Sequence, residues 1–215
     1  MKLADVLYMA SRKRRPKLPG RRAASTKRAR ASGIVRPKDL DMTRSQLARL
    51  VGRGEIERVA RGLYRLGDAD VTAQHTVALV AKRVPHGVVC LLSALSLHDI
   101  GTQIPHEVWV AIDRKARKPE ASGLPVRIVR SSASALARDV ERRVIEGISV
   151  VVTNPARTVV DCFRYRNKIG LDVALEALTE ALRSKKATPS GIRAVATTNR
   201  ALAVIRPYLE AVTWR

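Results

Sequence analysis

The sequence predicts an α+β chain: a small basic helical unit closed by a β-hairpin near the N-terminus, then a larger mixed α/β body with a helical end. Three observations predict it. Positive charge is concentrated in the first third. A capping box opens a short amphipathic helix at Thr43, and two short apolar runs then flank the turn Arg61-Gly62. Beyond residue 68, short apolar runs bounded by Gly- and Pro-containing turns alternate with stretches of helical spacing.

The charge is the first constraint. The formal net charge of 215 residues is +22. Residues 1–67 hold 19 Lys/Arg against 5 Asp/Glu, and residues 68–215 hold 22 against 14. Such an excess calls for a polyanionic partner, and its asymmetry places the contact in the first third. Aromatic residues make up only 3%, which argues against single-strand binding on stacking platforms. No apolar run approaches the roughly 20 residues of a membrane span, so a cytoplasmic chain with no membrane partner is expected. Cys90 and Cys162 sit in aliphatic runs and read as buried, reduced thiols.

Three segments are expected: a flexible basic arm over 1–21, a DNA-binding unit over 22–67 and a body over 68–215. In the arm, Pro16, Pro19 and Gly20 interrupt helix, and Arg12, Lys13, Arg14 and Arg15 carry the main charges. Such an arm can follow phosphates or enter a minor groove, or remain a solvated tail.

Residues 22–33 can form a short helix ending at Gly33, and Pro37–Leu40 a second, with Pro37 in its first turn. Asp41 and Met42 make a tight turn. In the run T-R-S-Q, the Thr43 hydroxyl caps a backbone N–H and Gln46 reaches back. The third helix runs to about Val51 and stops at Gly52 or Gly54, with Leu47, Leu50 and Val51 as its buried stripe. Arg44, Ser45, Gln46, Arg49 and Arg53 are left to face a major groove, where Arg suits guanine and Gln suits adenine. Strands Ile56–Ala60 and Leu63–Leu66 then form a wing whose Arg58, Arg61 and Arg65 can meet phosphates, with Tyr64 partly buried. The whole reads as a winged helix-turn-helix for duplex DNA. The plain alternative is a small helical domain with a solvated basic face.

In the body, helices are expected over 68–83 (Thr72 as a possible cap), Leu91–His98, from Pro155 behind a Thr153 or Asn154 cap, Leu171–Ser184, from Thr188-Pro189, and Ala201–Val212. Strands are expected at Val108–Ile112 and Val126–Val129, with a hairpin of Arg143–Glu146 and Ile148–Val152 turning at Gly147. Arg157 and Asp161 stand at i, i+4 and can pair, weakly if exposed. Leu171, Leu175, Leu178 and Leu182 should share one helix side.

Nothing compels an enzyme, a cofactor or a metal. The four histidines lack metal spacing, and His98 beside Asp99 reads as a packed or capping residue. Asp113-Arg114-Lys115, with Glu107 as a second carboxylate, is the one faint nuclease-like arrangement. There is no P-loop, dinucleotide loop or nucleophile elbow.

Three segments carry a family resemblance. TRSQLARLVGRGEIERVARGLYRL resembles the L-x-R-L-v-x-x-G-x-L-x-R-v-x-r-G-x-Y signature of AbiEi-type antitoxins, transcription regulators of type IV toxin–antitoxin systems. LLSALSLHDI (Leu91–Ile100) is similar to the family's S-A-L-x-L-H segment, and VVVTNPARTVVDCF (Val150–Phe163) to its V-T-x-x-R-T-L-v-D segment. The turn Leu40-Asp41-Met42-Thr43 departs from the family's usual Gly-containing stretch. The resemblance implies an N-terminal winged helix and an α+β C-terminal antitoxin domain. It implies repression of the chain's own operon through inverted repeats, and a nucleotidyltransferase-type toxin as partner. A regulator without a toxin, or a nucleic-acid-processing enzyme targeted by the wing, are the competing expectations.

Overall fold

The computed structural model describes residues 34–40, 42–66, 72–120 and 123–214. The basic arm with Arg12, Lys13, Arg14 and Arg15, and the helix expected over 22–33, lie outside them. The α+β class expected from the sequence holds.

The first described elements are β1 (Ile34–Val35), α1 (Pro37–Leu40), α2 (Arg44–Gly52), β2 (Ile56–Ala60) and β3 (Leu63–Leu66). β2 and β3 form the expected hairpin, and Gly62 takes a φ of 72° that its missing Cβ permits. β1 adds to β3 as an antiparallel third strand, giving the order β1-β3-β2. At two residues, β1 is too short to leave a periodic signal. Val35, Leu40, Leu47 and Ile56 form a small core beneath α2.

The body contains α3 (His75–Arg83), β4 (Val88–Val89), α4 (Leu91–Leu97), β5 (Val108–Asp113), β6 (Val126–Ser131), α5 (Ala133–Leu136), β7 (Val140–Ile145), β8 (Ile148–Thr153), α6 (Pro155–Arg164), α7 (Arg166–Ile169), α8 (Leu171–Arg183), α9 (Pro189–Thr198) and α10 (Leu202–Thr213). Its sheet has the order β6-β5-β4-β8-β7 and is mixed. β5–β6 and β4–β8 are parallel, whereas β4–β5 and β7–β8 are antiparallel. The β7–β8 turn places both Glu146 and Gly147 at positive φ, 50° and 71°, as a two-residue hairpin of matching twist requires.

Alternation along β5 shows how the sheet is sandwiched. Val108, Val110 and Ile112 pack with Val80 of α3 and with Val84, the residue that caps its end. Trp109 and Ala111 join the main core with Phe163, Leu178, Ile192 and Ile205. A further cluster joins Ile34 and Leu63 of the N-terminal sheet to Leu79 of α3 and Val150 of β8.

Several local expectations are corrected. Thr72 does not cap α3: Gln74 stands at the N-cap, and the Thr72 hydroxyl donates to Glu146 Oε1 at 3.1 Å. Val51 is 37% exposed and leaves the α2 stripe to Leu47 and the half-buried Leu50. On α8 the fully buried residues are Val173, Ala174, Ala177, Leu178 and Ala181; Leu175 and Leu182 are partly buried against the same core, and of the expected leucine side Leu171 alone is exposed. The face turned inwards is the one carrying alanines, whose small side chains admit the neighbouring α6 closely. β4, α5 and α7 had no counterpart in the sequence reading. Asn154 caps α6 by accepting from the Arg157 N–H at 2.8 Å, with Pro155 as the first residue, as expected.

Candidate nucleic-acid interface

α2 owes its start to Thr43. The Gln46 N–H donates to Thr43 Oγ1 at 3.3 Å, and the Thr43 N–H donates to Gln46 Oε1 at 3.0 Å. This closes the capping box read from T-R-S-Q. Leu47 faces the small core, so Arg44, Ser45 and Arg49 emerge on the exposed side. Arg44 and Arg49 form no ion pair among the described residues.

The eight residues expected to meet DNA differ in availability. Gln46 is half-buried and its amide oxygen is committed to the box. Only its amide N–H groups remain, so the two-bond pattern suited to adenine is closed to it while the box stands. Arg53 lies 3.7 Å from Glu55 and terminates the helix, its N–H donating to the Arg49 carbonyl at 3.0 Å. Arg58 is exposed on β2 opposite Tyr64. Arg65 is paired with Glu57 directly across the hairpin, and its side chain is only 19% exposed. Arg61, at the hairpin turn, lies 3.4 Å from Glu120.

That last contact is one of several that fasten the N-terminal unit to the body. Arg83 of α3 donates from Nε to the Glu120 carbonyl at 2.6 Å and from Nη1 to the Arg61 carbonyl at 3.2 Å. Lys82 Nζ lies 2.8 Å from Asp39 of α1. Partial burial would raise the Asp39 pKa, but bonds from Lys82 and the Arg36 N–H outweigh it and hold the carboxyl below its ordinary value. Sequence spacing could not have found these partners, which lie far apart in the chain.

The hairpin tip thereby stands beside the β5–β6 connection, which carries exposed Lys115, Arg117 and Lys118. Arg130 shapes that turn by donating to the carbonyls of Asp113 at 2.9 Å and Ala116 at 2.5 Å. The available signal was the charged run RKARK itself.

The faint nuclease arrangement is not assembled. Asp113 Oδ1 accepts from the Lys115 N–H at 2.7 Å, and Glu107 lies 3.2 Å from Arg127. The strand between the two carboxylates spans about 20 Å. His98 is packed: it is 3% exposed, with Nε2 2.7 Å from the Thr153 carbonyl and Nδ1 2.7 Å from Arg143 Nη2. The guanidinium can only donate, so Nδ1 accepts and Nε2 carries the proton. Burial, with Arg143 nearby, holds the His98 pKa below its ordinary value. Burial also pushes the thiols of Cys90 and Cys162 up. Among the described residues no three His, Cys, Asp or Glu side chains are grouped to hold a metal ion. No helix among them is long and apolar enough to cross a membrane.

The fold has a counterpart in the crystal structure of the RV2827C protein from Mycobacterium tuberculosis. The TM-score is 0.58 at 13% identity, over 92% of this chain and 82% of that one. At this identity the likeness is one of fold. No curated protein sequence matches the chain significantly. Residues 24–67, the stretch that ends with the capped α2 and its hairpin, match the family described as "Transcriptional regulator, AbiEi antitoxin", the family its motifs resemble.

Proposed function

We propose that the chain is a DNA-binding transcriptional repressor. Its N-terminal unit acts as a winged helix-turn-helix, it autoregulates a type IV toxin–antitoxin operon, and it counteracts a nucleotidyltransferase-type toxin. The observation that carries the DNA reading is the exposed side of α2, with Arg44, Ser45 and Arg49 held outwards by a closed capping box beside an Arg-bearing hairpin. The family match over residues 24–67 supports a regulatory role and an antitoxin's partner. The net charge of +22 supports a polyanionic ligand.

In this reading α2 enters the major groove of an operator with inverted repeats. Arg44 and Arg49 address base edges, Ser45 adds a hydroxyl, and the Gln46 amide N–H groups supply donors only. Arg53, Arg58, Arg61 and Arg65 serve the phosphates, and Arg53, Arg61 and Arg65 must first loosen their carboxylate partners. Lys115, Arg117 and Lys118 continue the cationic track past the hairpin tip. The arm residues Arg12, Lys13, Arg14 and Arg15 add phosphate or minor-groove contacts.

The test pairs a gel shift on the DNA upstream of the gene with co-purification of the neighbouring gene product. A shifted band competed only by inverted-repeat DNA, together with a co-purifying nucleotidyltransferase-like protein, is expected. Absence of any preference over random duplex would overturn the repressor. Absence of a partner alone would leave a regulator without a toxin.

A further inference from the structure

A pocket of about 80 Å³ opens in the body where β5 and β6 end, beneath α5 and α6. Its floor is apolar, formed by Val88, Cys90, Ala111 and Val129. Its walls hold four arginines, Arg114, Arg130, Arg157 and Arg164, together with Asp161 and Tyr165. Two of the three motif segments meet here. Cys90 and Leu91 lead into the first, and Thr153, Arg157 and Asp161 belong to the second. Neither has a part in the DNA interface.

The polar groups are unequally committed. Arg157 donates from Nε to Asp161 Oδ2 at 2.7 Å and from Nη1 to the Ala135 carbonyl at 3.3 Å. Arg130 is spent on the carbonyls of the 113–116 turn. The Arg114 and Arg164 guanidiniums are uncommitted by comparison. Arg114 is exposed, and Arg164 lies 3.5 Å from Asp161 Oδ1 without hydrogen-bonding it. Oδ1 is buried and accepts no hydrogen bond, although the Asp161 side chain is only 8% exposed. A buried acceptor of this kind wants a donor. Arg157 and Arg164 flank this carboxylate and Arg114 and Arg130 add positive charge to the pocket wall, so an ammonium donor is repelled and a neutral N–H borne by an anionic molecule is favoured. An apolar floor suits the edge of a heterocycle.

We propose that this pocket binds a nucleoside monophosphate. An N–H on the base edge donates to Asp161 Oδ1, that edge lies against the apolar floor, and the phosphate lies across the mouth between Arg114 and Arg164. The volume admits a base edge, and the ribose and phosphate lie over the rim. This site is independent of the DNA-binding reading and makes the protein responsive to free nucleotide.

Isothermal titration of the full chain with AMP, GMP, CMP and UMP tests it, with a nucleoside and inorganic phosphate as separate arms. At least one monophosphate should bind in the micromolar to low-millimolar range, at least tenfold tighter than the nucleoside or inorganic phosphate. Arg114→Gln and Arg164→Gln, both near the surface, should each weaken that binding about tenfold. Asp161→Asn should erase the preference among bases. Arg49→Ala, on α2, should leave nucleotide binding unchanged, which separates this pocket from the DNA face. Three results would overturn the proposal: no binding of any monophosphate at 5–10 mM, inorganic phosphate binding as tightly as the nucleotides, or full affinity in both rim variants.

Discussion

Arg61 and Glu120 face each other at 3.4 Å, the first at the turn of the β2–β3 hairpin and the second at the end of the β5–β6 connection. Their side chains are 71% and 68% exposed. A pair this open is worth no more than about 1 kcal/mol, so a phosphate can displace the carboxylate at little cost. Arg61→Ala should therefore weaken binding to all duplexes alike and reduce the slope of log affinity against log salt by about 0.9. Glu120→Gln should act in the opposite sense and tighten non-specific binding. Fluorescence anisotropy across a salt series reads both, and an unchanged slope in Arg61→Ala removes this residue from the interface.

Arg49 and Gln46 should fail differently. Arg49→Ala is expected to cost roughly 1–3 kcal/mol of operator affinity and to relax selectivity at one base pair, with the melting temperature little changed. Gln46→Ala breaks half of the capping box and should lower stability by roughly 0.3–1.5 kcal/mol. Selection from a randomised operator library and thermal melts distinguish the two. A change of base preference in Gln46→Ala without destabilisation would show that the box opens on DNA.

His98 gives a pH signature. Its folded pKa lies below the ordinary value because burial and Arg143 disfavour the charged ring. The unfolded chain then binds more protons as pH falls through the ordinary His range, so stability declines on acidification from about pH 7.5 to 5.5. His98→Gln should be less stable at neutral pH and show a shallower decline. Urea titrations at several pH values measure this, and an identical slope in the variant would locate the proton uptake elsewhere.

The Arg157–Asp161 pair expected from the i, i+4 spacing forms, and it is buried. Removing the cation strands a carboxylate at 8% exposure, and burial already pushes the Asp161 carboxyl above its ordinary value. Arg157→Ala should cost about 3–5 kcal/mol, whereas Arg164→Ala should cost at most about 1 kcal/mol. Chemical denaturation of the two variants checks the contrast.

Features written in adjacent residues were legible in the sequence. The Thr43 box, the Arg61-Gly62 and Gly147 turns, and the Asn154-Pro155 helix start each depend on neighbours within a few positions. What needed the folded chain was pairing over distance. Two-residue β1 and β4 exist only because β3, β5 and β8 offer them backbone partners. Leucines at helical spacing in α8 marked one side, of which Leu178 is buried and Leu175 and Leu182 partly so, but the residues packed deepest include Ala174, Ala177 and Ala181. For the candidate interface, the sequence named the arginines but not their counter-ions, since Glu57, Glu55 and Glu120 become partners only once hairpin, helix end and connection are in place.

Ile34 and Leu63 reach zero exposure only because Leu79 and Val150, from the other part of the chain, complete the shell around them. A cut near residue 70 would thus not liberate a self-sufficient N-terminal unit. Both fragments would bare greasy surface, and each would be prone to aggregate. Any graft of this unit onto another protein must carry its apolar seat on α3 and β8 along with it.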